Sequence, residues 1–126
     1  MDPDLERLKR LVKAQHAVGK LAHAKVAQLA QTLQTIEQKI AAIEALSNER
    51  RSPGIFDSHA IRHMHSLSRR AAALNAAIQD AQRDALQETR KSDRLHERLR
   101  IAQRQAHRKR DEQDMTERLS TTRRVR

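Results

Sequence analysis

The residues that interrupt helices are concentrated in one short segment of this chain. Residues 47–54 read Ser-Asn-Glu-Arg-Arg-Ser-Pro-Gly, and the rest of the 126 residues contain only one further proline and one further glycine. Pro53 disfavours the α conformation of the residue before it, and Gly54 adds backbone freedom. Pro3 suits the first position of a helix that Asp2 can cap. The sequence therefore predicts two helices joined by a single turn.

The composition favours long helices with a narrow core and excludes several kinds of site. The chain lacks cysteine and tryptophan, and Phe56 is its only aromatic residue. Alanine, leucine, glutamine and charged residues dominate, which is typical of coiled coils. Because cysteine is absent, the chain forms no disulfide, no cysteine-ligated metal site and no catalytic thiol.

The sequence offers no motif for catalysis and no membrane span. It lacks a glycine-rich phosphate loop, a nucleophile elbow and an HExxH motif, so we expect no enzymatic activity and no cofactor. No apolar run approaches the roughly 18 residues that a spanning helix needs. Residues 1–4 lack the basic and apolar regions of a secretory signal. We therefore expect a cytoplasmic protein without membrane insertion.

Apolar residues of the predicted second helix recur with the alternating spacing of four and three that is typical of a coiled coil. This heptad frame extends from Ala60 to Ala106, and the polar residues Glu88 and Ser92 interrupt it. The members of the frame are Ala60, Met64, Leu67, Ala71, Leu74, Ile78, Ala81, Ala85, Leu95, Leu99, Ala102 and Ala106.

The predicted first helix carries a similar frame over residues 22–43. Before residue 22, the apolar residues Leu5, Leu8, Leu11 and Val18 are interpreted as a frame that is offset by a stutter near Ala22. The members of the later frame are Ala22, Val26, Leu29, Leu33, Ile36, Ile40 and Ile43.

Two amphipathic helices with a short connection predict an all-α fold, a long antiparallel two-helix coiled-coil hairpin whose second helix is the longer. Asp57 is expected to cap the second helix, with Phe56 packed on Ile61 as a hydrophobic staple. The two termini are expected at the same end, with the segment after Ala106 extending past the first helix. The expected bounds in this single-domain hairpin are about 3–47 for the first helix, 48–57 for the turn and 58–122 for the second helix.

Three histidines near the predicted turn raise the question of a metal site. His59 and His63 are four residues apart, which would place both imidazoles on one helix face. No carboxylate completes that face, and Arg62 would repel a dication. We therefore expect a solvated histidine-rich segment around His65 and no bound metal.

The basic charge lies mostly in the second half of the chain. The net charge is +10, and residues 59–126, with 17 basic and 9 acidic residues, account for +8 of it. Interleaved acids, namely Asp93, Glu97, Asp111, Glu112 and Asp114, could pair locally with the basic residues. Otherwise these cations would bind an acidic protein surface or a polyanion. The basic stripe consists of Arg83, Arg90, Arg94, Arg98, Arg104 and Arg108.

The C-terminal part of the second helix carries a recognisable pattern. Residues 94–105 read Arg-Leu-His-Glu-Arg-Leu-Arg-Ile-Ala-Gln-Arg-Gln, and residues 108–115 read Arg-Lys-Arg-Asp-Glu-Gln-Asp-Met. With the hairpin and the polar turn, this arm resembles FliJ-like proteins, the stalk components of the flagellar type III export apparatus and of related virulence secretion systems. The family's turn region often carries more aromatics than the single Phe56 here.

The resemblance implies a stalk that inserts the end bearing both termini into a hexameric export ATPase. It also implies contacts with the cytoplasmic domain of the export gate and with export chaperones, at a cytoplasmic site peripheral to the membrane apparatus. The residues assigned to the ATPase are Arg104, Arg108, Lys109, Arg110 and Arg118. Those assigned to the gate are Arg62, His65 and Arg69.

Two alternatives stay open at this point. The chain could be a basic coiled coil that binds nucleic acid, although the lack of stacking aromatics disfavours single strands. It could also be a homodimeric scaffold. The apolar seam, meaning the heptad positions along one face of each helix, can pack the two helices of one hairpin together or can pack helices of two chains together. Outside the export complex we expect a monomer.

Overall fold

The computed structural model consists of two α-helices, α1 at Pro3–Glu49 and α2 at Ile55–Val125. It describes the backbone of residues 2–49 and 55–125, and the side chains of residues 2–49 and 58–123. Within those ranges no strand occurs. The two helices are antiparallel and in contact, and α2 is longer, at 71 residues against 47. The predicted all-α hairpin is confirmed.

Helix α1 begins where the sequence predicts, and its cap has the expected geometry. The backbone N–H of Asp4 donates to Oδ1 of Asp2 at 3.1 Å. The N–H of Glu6 donates to the Asp2 carbonyl at 3.2 Å, which closes the first helical turn. Pro3 is the first helical residue and has no N–H to satisfy. An Asp cap of this kind stabilises a helix by about 1 kcal/mol.

The helix bounds near the turn differ from the expected ones. Helix α1 continues two residues past the predicted end, and α2 begins at Ile55, three residues before the predicted start. Asp57 therefore lies inside the helical backbone instead of preceding it, because neither Ile55 nor Phe56 breaks a helix. The predicted contact between Phe56 and Ile61 lies outside the described side chains, as does the turn at 50–54.

The seam of α1 differs from the sequence interpretation in its first half. Leu11 and Val18 are 49% and 46% exposed, so they do not form part of the seam. The partly buried positions continue the later frame without any stutter. The predicted offset frame is therefore wrong, although Leu5 and Leu8 belong to the seam as expected. The seam of α1 consists of Leu5, Leu8, Val12, Gln15, Gly19, Ala22, Val26, Leu29, Leu33, Ile36, Ile40, Ile43 and Ser47.

The seam of α2 follows the predicted frame, including the two polar residues. Glu88 and Ser92 are partly buried and keep the alternating spacing of four and three. Nε2 of Gln15 donates to the Glu88 carbonyl at 3.3 Å and also to the Glu88 carboxylate. Glu88 and Ser92 are thus polar members of the seam and do not interrupt it. Glu88 is also hydrogen-bonded to Gln15 of α1.

The chain divides into two compact units. The terminal unit combines Met1–Gly19 with Glu88–Arg126, and the central unit is Lys20–Gln87. The most buried described side chains all belong to the central unit, where Leu67 is only 2% exposed. Alanines at seam positions allow the two helix backbones to approach closely. The other buried residues are Ile36, Ala81 and Ala85.

Candidate functional site

The part of α2 that follows Ala106 has no apolar seam. Continuing the heptad frame past Ala106 gives the polar residues Lys109, Gln113, Thr116, Ser120 and Arg123. Every described residue from 107 to 123 is exposed. We call residues 107–123 the C-terminal arm. The arm stays helical through local interactions and good helix formers, and it presents its side chains to solvent on all sides.

Local interactions within the arm involve few of its cations. Nε2 of His107 lies 3.5 Å from Oδ2 of Asp111. The hydroxyl of Thr116 donates to the Glu112 carbonyl at 2.8 Å, and further threonine hydroxyls near the end of the arm make the same kind of bond. These contacts satisfy the threonine hydroxyls, and among the described side chains they involve no arginine or lysine side chain of the arm.

The five residues predicted to bind an ATPase are exposed. Among the described side chains, none of the five lies within 4 Å of a carboxylate oxygen. Of the interleaved acids, Asp111 pairs with His107 and Glu97 pairs with Arg100 at 2.7 Å. The arm as a whole holds five arginine or lysine residues and four acidic residues. The five residues are Arg104, Arg108, Lys109, Arg110 and Arg118.

The helix does not gather these five cations on one face. Arg104 and Arg108 are four residues apart and share a side of α2. Lys109 occupies the polar continuation of the seam, and Arg110 is one further step of about 100° round the helix. Arg118 lines a separate shallow depression of the arm with Asp114, Glu117, Thr121 and Thr122. The five cations are therefore spread around the circumference of α2 and are interleaved with the four acidic residues of the arm.

Two of the five cations also border the start of α1. Arg108 and Lys109 line a groove of the terminal unit together with Asp2 and Asp4. Leu5 and Ala102 line the same groove, so the start of α1 lies beside the part of α2 that precedes the arm. The acidic start of α1 thus lies near the basic start of the arm.

The three residues predicted to contact an export gate do lie together. Arg62, His65 and Arg69 are exposed and line one shallow depression on α2 within the central unit, with Ser68 and Ala72. Their spacing of three and four places them on one helix face. The result is a small cationic surface without a deep cavity.

The histidine-rich segment has no complete metal site among the described residues. His59 and His63 line a groove with Ile43, Leu46 and Ala60. No group of three or more potential ligands occurs in the described part of the chain. Two imidazoles alone provide half of the four ligands of a structural zinc site.

A polar site in the terminal unit that was not predicted from the sequence is centred on Glu88. Its carboxylate accepts from Nε2 of Gln15 and from Nζ of Lys91, the latter at 3.2 Å. These hydrogen bonds, first from Gln15 and then from Lys91, hold the pKa of Glu88 below its ordinary value near 4.5. Counting the α1 heptad forward from Leu8 would have placed Gln15 in the seam and revealed this site.

Comparisons with known proteins add no relative to this picture. Neither the models of protein families, nor the curated proteins, nor the solved structures give a match to this chain. In the described part of both helices, no stretch is sufficiently long and apolar to cross a bilayer.

Proposed function

We infer that this chain is a non-enzymatic stalk component of a flagellar type III protein export apparatus. In this role it binds the hexameric export ATPase through the C-terminal arm and the neighbouring Arg104. Other surfaces contact the cytoplasmic domain of the export gate and the export chaperones. The protein acts in the cytoplasm, peripheral to the membrane apparatus.

One observation carries this proposal: the arm is an exposed helix whose arginine and lysine side chains have no carboxylate within 4 Å among the described residues. A helix that is polar on every side has no apolar face to pack against α1, so its side chains are available to a partner. The net charge of +8 on residues 59–126 attracts an acidic surface over long range and accelerates its binding. The exposed arginines of the arm can then pair with that surface at short range. An acidic central pore of a ring-shaped ATPase fits this chemistry.

The gate contact is assigned to the cationic depression of the central unit. Arg62, His65 and Arg69 share one helix face there, and an acidic patch on the gate could bind all three at once. Their shared location and positive charge support this assignment. It does not depend on whether the arm binds the ATPase.

The ATPase contact is tested by charge reversal. We expect the triple variant Arg104→Glu, Arg108→Glu, Arg110→Glu to lose binding to a purified hexameric export ATPase, and to lose any stimulation of ATP hydrolysis. Helical circular dichroism should stay unchanged, because all three residues are exposed. The loss should be smaller in 0.5 M salt, where charges are screened over about 4 Å. Truncation after Ala106 should likewise abolish ATPase binding.

The matched control reverses three exposed arginines of the central unit, Arg62, Arg69 and Arg70. This variant has the same net charge as the arm variant and should keep ATPase binding. Equal weakening by both variants would mean that the ATPase attracts any basic surface, and the stalk proposal would then fail.

A second candidate function is the binding of duplex nucleic acid. The observation that favours it is the stripe of Arg90, Arg94 and Arg98, which are exposed and have no carboxylate within 4 Å among the described side chains. Binding to a random duplex would show a linear fall of log K with log salt concentration, with a slope set by the number of phosphates contacted. Strong binding of this kind without ATPase binding would favour this candidate over the stalk.

A further inference from the structure

Helix α1 carries a second apolar stripe that the seam does not use. Leu11, Ala14 and Val18 follow each other at spacings of three and four, so they share one helix face. All three are exposed, Leu11 by 49% and Val18 by 46%. The stripe covers about two helical turns of the terminal unit. Neighbouring exposed apolar side chains of this kind can form part of a surface that binds another protein.

Helix α2 carries two arginines and an isoleucine at the equivalent positions of its own heptads, and they form a second stripe. With seam positions labelled a and d, Leu11 and Val18 occupy g and Ala14 occupies c. On α2, Arg98 occupies g, while Arg94 and Ile101 occupy c. These three are exposed, and Ile101 is 45% exposed.

The two stripes lie on the same side of the terminal unit. An antiparallel helix pair is related by a two-fold axis perpendicular to the helices, and this axis places the g positions of both helices on one side. The groove between the start of α1 and the region around Ala106 agrees with this, because Asp4 at g of α1 and Gln105 at g of α2 both line it. We call the surface formed by the two stripes the mixed face. It consists of Leu11, Ala14, Val18, Arg94, Arg98 and Ile101.

We propose that the mixed face binds an amphipathic helix of a partner protein whose apolar stripe is flanked by acidic side chains. The partner's apolar stripe would cover the leucine and valine of α1, and its acids would pair with the arginines of α2. Packing against an existing helix pair gives a local three-helix arrangement, with the partner recognised at spacings of three, four and seven residues. The charges select the partner and its orientation.

Charge and shape argue against the other occupants of this face. A second copy docked through the same face would bring Arg94 and Arg98 of both chains into one interface, and like charges oppose this contact. A nucleic acid would leave the apolar stripe of α1 uncovered. A membrane surface favours helices with a broad apolar face and aromatic anchors, whereas the mixed face is narrow and contains no aromatic residue.

This inference does not rest on the proposed function. None of the residues of the mixed face belongs to the set assigned to the ATPase or to the gate. A chain that fails to bind any export ATPase could still bind an acidic amphipathic helix here, and the reverse also holds.

The test uses the full chain and a synthetic peptide of known sequence. The probe is a fluorescent 21-residue peptide made of three seven-residue repeats. Each repeat has leucine at its first, fourth and fifth positions and glutamate at the positions that flank this apolar stripe. Two control peptides have the same composition in scrambled order, or lysine in place of glutamate. Fluorescence anisotropy should show binding of the probe at least about tenfold tighter than binding of either control, a difference of about 1.4 kcal/mol.

Two variants separate the contributions of the two stripes. Leu11→Gln with Val18→Gln should weaken probe binding about tenfold in both low and high salt, because it removes apolar contacts. Arg94→Glu with Arg98→Glu should weaken binding about tenfold in low salt and much less in 0.5 M salt, because exposed charges are screened. Glutamine and glutamate are good helix formers, so all variants should keep their helical signal.

Two matched controls lie in the same unit but outside the mixed face. Lys9→Glu with Arg100→Glu makes the same change of net charge at exposed positions e and b, on the other side of the helix pair. Met115→Gln with Leu119→Gln removes two exposed apolar residues, 63% and 62% exposed, from the arm. Both controls should bind the probe as the unaltered chain does.

Several outcomes would overturn the proposal. Absence of probe binding, or equal binding of the scrambled peptide, would show that the face does not recognise an amphipathic helix. Equal weakening by the control variants would show that binding is not located at the mixed face. Concentration-dependent dimerisation that Leu11→Gln with Val18→Gln abolishes would identify a second copy as the occupant. Capture by anionic lipid vesicles that the same variants abolish would identify a membrane surface instead.

Discussion

Gly19 occupies a seam position of α1 and is the only glycine within the described helices. A Cβ atom added at Gly19 would meet no atom within 4 Å. Glycine in a helix interior costs about 1 kcal/mol relative to alanine, because the unfolded chain has more conformations to lose. This position therefore weakens α1 without a compensating close contact.

We expect Gly19→Ala to raise the free energy of unfolding by about 1 kcal/mol. Urea unfolding followed by circular dichroism would measure the change. Ala14→Gly, at an exposed position of the same helix, should lower the free energy of unfolding by a similar amount. A loss of stability in Gly19→Ala would mean that the two helices approach each other more closely at this position than the structure shows.

Glu88 couples the stability of the hairpin to pH. Its pKa in the folded chain is held below the ordinary value near 4.5 by hydrogen bonds from Gln15 and Lys91. The ionised carboxylate therefore stabilises the fold fully above that ordinary value, and this contribution is lost as the pH falls through the lower, folded-state pKa. Acidification thus removes the contribution, and a rise in pH above neutrality leaves it unchanged.

Glu88→Gln tests this coupling, because glutamine imitates the protonated carboxyl group. We expect the variant to be less stable than the unaltered chain at pH 7 and to approach it in stability near pH 3. Comparing the two chains at each pH removes the effect of the other carboxylates. A difference in unfolding free energy that stays constant from pH 7 to pH 3 would contradict a lowered pKa for Glu88.

At the scale of the helix, α1 presents two overlapping apolar stripes and uses only one of them as its seam. Val12 belongs to the seam and is partly buried, whereas Val18 belongs to the other stripe and is 46% exposed. Because valine occupies both positions, the effects of Val12→Ala and Val18→Ala on the free energy of unfolding can be compared directly. The change in helix propensity is the same for both substitutions and cancels in the difference.

We expect Val12→Ala to destabilise the chain by about 1 kcal/mol more than Val18→Ala, because each buried methylene is worth roughly 0.8 kcal/mol. Thermal unfolding of the two variants under identical conditions measures the difference. The offset frame inferred from the sequence makes the opposite prediction, with Val18 the more costly position. The experiment therefore decides between the two frames.

At the scale of the whole molecule, the hairpin predicts that α1 and α2 of one chain pair with each other. The chain contains no cysteine, so two cysteines introduced at the exposed positions Lys9 and His96 can be labelled specifically. Both lie at position e of their heptads, which an antiparallel pair places on one side of the terminal unit. We expect a label separation below about 20 Å, given helix axes roughly 8–10 Å apart.

Dilution with unlabelled protein distinguishes a monomer from a dimer. In a monomeric hairpin the two labels belong to one chain, so the short separation should persist unchanged in a large excess of unlabelled chain. A short separation that disappears on dilution would show that the seam closes between two chains, which is the scaffold alternative.

The polar seam residues show why the sequence interpretation was correct for α2 and partly wrong for α1. In α2, Leu95 and Leu99 resume the frame after Glu88 and Ser92, so the polar positions do not shift it. In α1, Gln15 and Gly19 occupy the corresponding positions, and the apolar neighbours Leu11 and Val18 offer a competing frame. Periodicity alone favours the more apolar frame, whereas the hydrogen bonds from Gln15 to Glu88 offset the cost of a polar seam position.

Some of the candidate sites could be predicted from the sequence and one could not. The exposure of the arm after Ala106 follows from its polar heptads, which can be read along the chain. The shared depression of Arg62, His65 and Arg69 follows from helical spacing. The mixed face could not be predicted, because it combines residues that are about 80 positions apart in the sequence and depends on the antiparallel register of the helices.

The sequence by itself determined the two helices, the position of the break between them, the seam of α2 and the excess of positive charge in the second half of the chain. These properties arise from local propensity and spacing, which each segment carries on its own. Only the tertiary structure decided which stripe of α1 packs against α2, because that choice depends on contacts between distant residues. Once Gln15 is bonded to Glu88, Leu11 and Val18 are left on the surface beside Arg94 and Arg98.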